Sequence, residues 1–359
     1  MAQSEAYNAA YRQSSRLTGQ RGRRALTDVT RKEFLRACAG YLWMPALGVP
    51  ADRFEPSYLA LLRSGELRRR ADALRGLMRE CRMCPRECAA RRLDNETGFC
   101  GAGRDVEVAS VGPHFGEERG LVGRGGSGTI FLTHCNLRCV FCQNWEISQR
   151  DHGERVTPGD MAGMMLRLQG RGCHNINFVT PTHYTALIVQ AIEEAAARGL
   201  RLPVVWNTSG WERLETLRLL DGIVDIYMPD FKYADPAMAD RYSSGARTYP
   251  ELTRAALLDM QRQVGVAHPA SDGIIRRGLI IRHLVMPNNV GGTEQVIGWI
   301  AANLPKDTYL NLMSQYRPAF RAFEHPAIAR RVERREYDRA VQVAIQAGLT
   351  NLDVQGGLR

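Results

Sequence analysis

Residues 128–144 read GTIFLTHCNLRCVFCQN, an apolar run that leads directly into three closely spaced cysteines. The first part, TIFLTH (129–134), has the β-branched and aromatic composition of a buried parallel strand. Cys135, Cys139 and Cys142 follow with the spacing C-x3-C-x2-C. The sequence therefore predicts a cysteine loop at the carboxyl end of a strand, which is where β/α barrels carry their active sites.

Similar apolar runs recur toward the carboxyl terminus and alternate with segments of helical periodicity. The runs are TIFLTH (129–134), INFVTP (176–181), PVVWNT (203–208), DIYMPD (225–230), LIIRHLV (279–285), TYLNLM (308–313) and a short TNLDV (350–354). The helical segments are 158–169, 184–198, 212–220, 250–263 and 294–303. Strand–helix repetition at this spacing indicates parallel strands with right-handed crossovers. We therefore expect an α/β fold with a partial or near-complete (β/α)6-type barrel.

Three regions are predicted along the chain. Residues 1–35 are expected to form a flexible basic tail. Residues 36–120 are expected to form an N-terminal accessory region with a helix over 58–80 and a cysteine-rich, metal-binding segment. Residues 121–359 then form the barrel.

The composition is that of a globular protein, with 359 residues, 44% hydrophobic and 24% charged. No stretch is long and apolar enough for a transmembrane helix, and residues 1–27 lack the apolar core of a secretory signal. We therefore expect a cytoplasmic protein without a membrane partner. The formal net charge is +10, but much of it lies in the tail and in 330–339, which we interpret as the solvated face of a helix. The charge alone does not indicate nucleic-acid binding.

Nine cysteines occur, and seven of them fall in two tight groups. The groups are Cys81, Cys84, Cys88 and Cys100, followed by Cys135, Cys139 and Cys142. Clustered thiols in a reducing compartment indicate bound metal rather than disulfides. Cys38 and Cys173 stand alone, and we expect each to be an ordinary buried cysteine.

The second group is suited to an iron–sulfur cluster. Three thiolates from one loop can bind three irons of a [4Fe–4S] cluster, which leaves the fourth iron without a protein ligand. The amino and carboxylate groups of S-adenosylmethionine (SAM) can take that position, and an electron from the cluster then breaks a C–S bond. The product is a 5′-deoxyadenosyl radical that abstracts hydrogen from a substrate. The alternative is a three-ligand zinc site, but structural zinc takes four protein ligands and no fourth lies at zinc-finger spacing.

With these motifs the chain resembles the radical SAM superfamily, and within it the branch of pyruvate formate-lyase activating enzyme and its paralogues. The resemblance covers roughly residues 81–320. It rests on GTIFLTHCNLRCVFCQN, NINFVTPTHY, VVWNTSGW, DIYMPDFKY, LIIRHLVMPNN, YLNLMSQYRP and the upstream Cys-x2-Cys-Pro-Arg-x-Cys motif. It implies a radical SAM barrel, a catalytic [4Fe–4S] cluster on Cys135, Cys139 and Cys142, bound SAM, and a reductant protein such as flavodoxin or ferredoxin.

The resemblance also implies contacts to SAM from the first two strand ends. Phe141 is expected beside the adenine. Thr180 to Thr182 occupy the place where many relatives have a Gly-Gly-Glu motif that contacts the SAM amino group. The residue before Cys135 is His134, where the activating enzymes usually have glycine. The chain therefore departs from its relatives at two places in the expected site.

The third and fourth strand ends carry the next implied contacts. Asn207, Thr208 and Ser209 follow the third strand, where relatives contact SAM and, in the activating enzymes, a monovalent cation. Met228 and Asp230 match that same cation site.

Two cationic residues and two histidines complete the candidates. By resemblance, Lys232 matches a lysine near SAM, and Arg282 lies near the ribose or the methionine carboxylate. His183 and His283 also follow or end strands, and each is interpreted either as catalytic or as a structural hydrogen-bond partner.

The upstream group runs Cys81-Arg-Met-Cys84-Pro-Arg-Glu-Cys88, with Cys100 in the stretch TGFCG (97–101). Four thiolates suit either Zn²⁺ or an iron–sulfur cluster. Zinc ribbons have two separated C-x2-C pairs and this segment has one, so we favour an auxiliary iron–sulfur cluster over zinc. Activating enzymes with extra clusters hold them after the SAM-cluster loop, whereas these cysteines precede the barrel.

Two enzymatic functions and one binding function follow from these motifs. The first is an activating enzyme whose radical abstracts hydrogen from a glycine of a glycyl-radical protein. The second is a small-molecule biosynthetic enzyme whose auxiliary cluster binds substrate, transfers electrons or donates sulfur. The third, an arginine-rich nucleic-acid adaptor, leaves the C-x3-C-x2-C loop unexplained, and we do not expect nucleic acid as a partner.

Overall fold

The computed structural model describes residues 54–150 and 152–354. The predicted basic tail at 1–35 and Cys38 lie outside these described residues. The described part begins with two short helices and the cysteine-rich segment, which lead into a sheet of nine strands.

The sheet has the strand order β3-β1-β2-β4-β5-β6-β7-β8-β9. The strands are β1 Val106–His114, β2 Ser127–Leu132, β3 Glu154–Val156, β4 Ile176–Val179, β5 Val204–Thr208, β6 Ile226–Pro229, β7 Gly278–Leu284, β8 Tyr309–Met313 and β9 Leu352–Val354. Neighbours among β2 and β4 to β9 are parallel, whereas β1 is antiparallel to both β2 and β3. Within the described ranges β9 does not pair with β3, so the barrel is open. The predicted α/β fold is confirmed, with six parallel strands and β9 as a seventh.

The helices of the described residues are α1 Tyr58–Arg63, α2 Glu66–Gly76, α3 Arg119–Val122, α4 Trp145–Gln149, α5 Pro158–Gly170, α6 Thr185–Ala197, α7 Leu214–Leu219, α8 Pro236–Tyr242, α9 Tyr249–Val264, α10 Thr293–Asn303 and α11 Arg334–Gln346. Helices α4 to α11 follow β2 and lie between the parallel strands along the chain, whereas α1 to α3 precede β2. The five predicted barrel helices correspond to α5, α6, α7, α9 and α10. Helix α5 begins at a capping box in which Thr157 Oγ1 accepts a hydrogen bond from the Asp160 backbone N–H.

Two helix predictions need correction. The single helix predicted over 58–80 is two helices, because Gly65 has φ +72° and the helix cannot continue through that left-handed residue. The helical face predicted over 330–339 begins later, at Arg334. The side chain of Glu336 accepts a hydrogen bond from the Glu333 backbone N–H (2.8 Å) and fixes the start of α11 there.

The parallel strands are buried on both faces. Every residue of β5, β6 and β8 is buried, and Phe178, Trp206 and Tyr227 are fully enclosed. Burying a side chain such as Phe contributes about 1.5–3 kcal/mol relative to leaving it exposed. The strands are therefore firmly held, and the polar residues at their carboxyl ends occupy defined positions. In the part of the chain that the structure describes, no helix is long and apolar enough to cross a membrane.

Candidate active site

A cavity of about 410 Å³ opens at the carboxyl ends of the parallel strands. Its walls bring together most of the residues predicted from the sequence: Cys135, Cys139, Cys142, Phe141, Thr180, Asn207, Thr208, Ser209, Asp230, Lys232 and Arg282. Thr182, Met228 and the upstream cysteines are not part of the wall. The predicted strand-end residues thus share one site, although their roles toward SAM stay predictions.

Each thiol of the cavity has a hydrogen-bonding neighbour. The Leu137 backbone N–H donates to Cys135 Sγ (3.4 Å). Two serine hydroxyls lie at the other sulfurs: Ser243 Oγ is 3.1 Å from Cys139 Sγ, and Ser148 Oγ is 3.2 Å from Cys142 Sγ. Hydrogen bonds to cysteine sulfur are one of the means by which proteins set the reduction potential of an iron–sulfur cluster. The three thiols and their donors therefore fit a [4Fe–4S] cluster.

The loop that carries the thiols has an unusual backbone. His134 has φ +66° and Arg138 has φ +49°, both in the left-handed region that non-glycine residues rarely adopt. His134 is buried, and its Nε2 atom lies 3.1 Å from Glu107 Oε2. Burial raises the pKa of Cys139 to about 12, although the nearby charge of Lys232 acts in the opposite direction.

Three charged side chains form a buried network in the wall of the cavity. Lys232 Nζ lies 2.5 Å from Asp230 Oδ2, and Arg282 Nε donates to Asp230 Oδ1 (2.8 Å). Arg282 Nη2 also donates to Asn207 Oδ1 (2.6 Å). Burial raises the pKa of Asp230, but Arg282 and Lys232 outweigh burial and hold the pKa below its usual value. The network therefore presents a lysine and an arginine, both charged at neutral pH, to the cavity.

Glu117 is a cavity residue that the sequence did not reveal. Its Oε2 atom accepts hydrogen bonds from Asn177 Nδ2 (2.5 Å) and Asn207 Nδ2 (3.0 Å). Glu118 beside it is buried, which raises the pKa of its carboxyl group, and its Oε1 atom lies 4.0 Å from Arg282 Nη1. Both glutamates lie outside the repeating strand–helix pattern, so only the doubled acid after β1 could have drawn attention to them.

Glu212 is a second residue missed from the sequence. Its Oε1 atom accepts hydrogen bonds from Thr182 Oγ1 (2.7 Å), Thr208 Oγ1 (2.5 Å) and Trp206 Nε1 (3.4 Å). Burial raises the pKa of this carboxyl group despite these donors. Thr182, predicted to contact SAM, thus has its hydroxyl committed to Glu212 beneath the cavity wall.

The two candidate histidines are buried and hydrogen-bonded. His183 Nε2 lies 2.8 Å from the Thr133 carbonyl, and burial lowers its pKa to about 3. His283 bonds through Nδ1 to the Phe231 carbonyl (2.6 Å) and through Nε2 to Thr293 Oγ1 (2.9 Å), and burial lowers its pKa to about 4. Both rings are therefore neutral at pH 7, and neither lines the cavity.

The upstream cysteine segment packs against the loop of Cys135. Arg86 Nε donates to the carbonyl of Asn136 (2.9 Å). Gly101 has φ +95°, and a Cβ atom at this position would lie 2.7 Å from Nδ1 of His134. Only glycine therefore permits this contact between the two cysteine regions.

The upstream thiols are neighbours of one another. Cys81, Cys84 and Cys100 are buried, and Cys88 is exposed. Burial raises the pKa of Cys84 to about 12, and proximity to Cys100 and Cys81 contributes to the increase. Across residues 54–150 and 152–354, no three Cys, His, Asp or Glu side chains converge on a position for a single metal ion.

An open β/α barrel with a C-x3-C-x2-C loop at the mouth of its cavity is the arrangement of a radical SAM protein. Residues 129–261 match the Radical SAM superfamily. The chain is 32% identical over 306 residues to "Uncharacterized protein MJ0674" of Methanocaldococcus jannaschii, which covers 82% of this chain and 83% of that protein. The chain therefore carries a radical SAM domain, and proteins of that superfamily bind a [4Fe–4S] cluster and SAM and accept electrons from a donor.

Three further proteins are similar to this chain at lower identity. "Uncharacterized protein MJ0808" of the same organism is 24% identical over 273 residues, covering 68% of this chain and 73% of that protein. Two solved structures are similar at 12% and 13% identity: TYW1 with a lysine-pyruvate adduct bound (TM-score 0.37) and methylornithine synthase PylB (TM-score 0.39). They cover 61% and 64% of this chain, and 73% of each neighbour is matched.

Proposed function

We propose that the chain binds SAM in this cavity, beside a [4Fe–4S] cluster on Cys135, Cys139 and Cys142, and abstracts hydrogen from a substrate. When bound, the cluster supplies the electron that cleaves SAM to methionine and a 5′-deoxyadenosyl radical. The observation that carries the proposal is that three hydrogen-bonded thiols and the strand-end polar residues surround one cavity.

The remaining residues of the cavity bind, orient and exclude water. Lys232 and Arg282 supply positive charge for the carboxylate of SAM, and Asp230 holds both side chains in place. Phe141 is buried, with ring centroids 5.9 Å from Tyr316 and 6.4 Å from Tyr233, and it closes the cavity on the side of the thiol loop. This division of tasks leaves the radical chemistry to the cofactors and the geometry to the protein.

We propose a glycine of a partner protein as the site of hydrogen abstraction, as in the activating enzymes that the chain resembles. A cavity of about 410 Å³ lies near the lower end of the roughly 300–1,000 Å³ typical of a site for one drug-sized ligand. SAM alone takes most of this space, so the substrate has to approach from the open side. A protruding peptide loop meets that requirement.

The test is anaerobic co-expression with each glycyl-radical protein encoded nearby, followed by reduction in the presence of SAM. A glycyl doublet in the electron paramagnetic resonance spectrum supports the proposal, and its loss in Cys139→Ala, but not in Cys173→Ala, ties it to the cavity. Cys173 is a matched control because it is buried and stands outside the cavity wall. SAM cleavage without a doublet on any candidate protein refutes glycyl-radical activation.

The contact of the upstream cysteines with the Cys135 loop favours a second candidate function, a small-molecule enzyme with an auxiliary iron–sulfur cluster. Four thiols suit either Zn²⁺ or an iron–sulfur cluster. The segment holds one C-x2-C pair rather than the two separated pairs of a zinc ribbon, which favours the cluster over zinc at Cys81, Cys84, Cys88 and Cys100.

Anaerobic reconstitution of the wild type and of Cys81→Ala/Cys84→Ala tests this second site. The cluster predicts a loss of four irons and four sulfides per chain in the double variant, with Cys173→Ala as control. Zinc in place of iron, or unchanged iron, refutes it. Reductant-dependent 5′-deoxyadenosine is measured in the same samples, and its absence from the wild type refutes SAM cleavage itself.

A further inference from the structure

Arg92 places a fully buried guanidinium group in the upstream cysteine segment. Its relative exposure is 0%, and it lies within 4.0 Å of Cys81 Sγ through Nη1. Nε donates to the Gly103 carbonyl (2.9 Å), and Nη1 donates to the His183 carbonyl (2.5 Å). Nη2 is buried without a hydrogen-bond partner in the described part of the chain.

No acidic side chain of the described residues neutralises Arg92. Within the described ranges, no Asp or Glu oxygen forms an ion pair with this residue, although more than twenty such pairs occur elsewhere. Arginine is almost never fully buried unless it is paired. An uncompensated buried charge costs several kcal/mol, so the fold needs an anion at this place.

The neighbouring thiols provide that anion only when they bind metal. Four free thiols are neutral groups, whereas four thiolates on Zn²⁺ or on a [4Fe–4S]²⁺ cluster carry a net charge of about −2. Cys81 is in contact with Arg92, and Cys100 lies close enough to feel its charge. The buried guanidinium and the cysteine group are therefore complementary in charge.

The backbone around Cys88 brings the thiol of this residue close to Gly98. Glu87 has φ +41° and Ala89 has φ +55°, so left-handed residues flank the cysteine on both sides. A Cβ atom at Gly98 would lie 2.6 Å from Cys88 Sγ. Residues with a side chain rarely adopt this conformation, and where they do they cluster at ligand sites.

We infer that Arg92 is the built-in counter-charge of an anionic metal–thiolate centre at Cys81, Cys84, Cys88 and Cys100. The inference rests on the second metal site proposed above and adds what holds the metal there. Because Nη1 also donates to the carbonyl of His183 in the turn that follows β4, the same side chain links the centre to the barrel. Arg92 acts as a positioning residue rather than a ligand.

The test compares Arg92→Met, Arg92→Lys and Arg91→Met in the full-length, anaerobically purified protein. Arg91 is the matched control, since its side chain is 64% exposed and paired with Glu96. Iron, sulfide and zinc are counted per chain, and release of metal to a chelator is timed. We expect release from Arg92→Met to be about tenfold to a hundredfold faster, as for other residues that support metal ligands. Arg91→Met should match the wild type.

Arg92→Lys keeps the charge, so it should retain the metal even if Arg92→Met does not fold. For an iron–sulfur centre, Arg92→Met should also lower the midpoint potential, because loss of a positive charge disfavours reduction. Equal metal content and release rates in Arg92→Met and wild type overturn the inference, as does metal loss from a folded Arg92→Lys. A Cys84→Ala/Cys100→Ala variant with wild-type metal content instead refutes the second metal site itself.

Discussion

Replacing Asp230 by asparagine tests whether this carboxylate neutralises Lys232 and Arg282 in the cavity. The carboxylate neutralises both Lys232 and Arg282, and the three side chains are only 12%, 15% and 13% exposed. Removing one partner of a buried ion pair costs about 3–5 kcal/mol because it leaves an uncompensated charge. The two pairs share one carboxylate, so their losses do not add. Glu117 and Glu118, each 4.0 Å from Arg282, compensate part of the loss.

In this variant the charge of Lys232 becomes uncompensated, because among the described residues it pairs with no other carboxylate. We therefore expect Asp230→Asn to destabilise the fold by about 3–4 kcal/mol and to lower the melting temperature by roughly 6–12 °C. The contribution of Asp230 is fully present above its unfolded pKa of about 3.9 and is lost as pH falls through the lower folded value. A measurement at pH 7 thus captures the whole effect.

Thermal melting of anaerobically purified protein, followed by circular dichroism at one scan rate, is the assay. Asp72→Asn is the control, because Asp72 and its partner Arg68 are 69% and 63% exposed and lie 3.8 Å apart, and such pairs contribute less than about 1 kcal/mol. Asp230→Asn/Lys232→Met should recover part of the lost stability, since the double variant removes the uncompensated charge of Lys232. A single variant within about 1 kcal/mol of wild type, or a double variant less stable than the single one, refutes the reasoning.

Two further predictions concern buried titratable groups. Lowering the pH from 7 to 5 should cost about 4 kcal/mol through His183 and His283, because the unfolded chain protonates them near pH 6.5 whereas their folded pKa values are about 3 and about 4. Burial raises the folded pKa of Asp225 to about 6, which offsets part of this loss. His283→Asn should therefore lose about 2 kcal/mol less than the wild type in denaturant titrations, and an equal loss contradicts this. Glu212→Gln should change stability by less than about 1 kcal/mol because Oε1 remains an acceptor. Glu212→Ala removes the acceptor of Thr182, Thr208 and Trp206 and leaves the two hydroxyls only their weaker contact with each other (3.3 Å), so it should cost about 3 kcal/mol. Equal melting temperatures for the two variants argue against the hydrogen-bonded role.

The parallel sheet could be predicted closely from the sequence, because strands buried on both faces are nearly continuous apolar runs. The run 204–208 within PVVWNT is a strand, as expected, and its polar end residue Asn207 faces the cavity. β3 was missed because Glu154–Val156 is three residues long and largely exposed, so it carries no such run.

The missed site residues have a different physical cause. Ser243 lies 104 residues from Cys139 in sequence, yet its hydroxyl contacts the sulfur, and Glu212 collects donors from two strand ends. Such contacts depend on where a loop returns in space. Local periodicity cannot predict contacts between residues that are far apart in sequence. The three cysteines could be predicted to lie together because the C-x3-C-x2-C spacing places them on one loop.

The two departures from the activating enzymes that the sequence resembles share one structural feature. His134 and Thr180, which stand where that resemblance leads us to expect glycine, have φ +66° and +59°. A left-handed conformation costs a residue with a side chain roughly 1–2 kcal/mol, and it persists only where the surroundings impose it. The chain therefore keeps the glycine-type backbone turns and adds side chains to them. The ring of His134 abuts Gly101 of the upstream cysteine segment, and Thr180 lines the cavity. The two departures therefore lie at the contact between the two cysteine groups and on the wall of the cavity in which we propose that SAM binds.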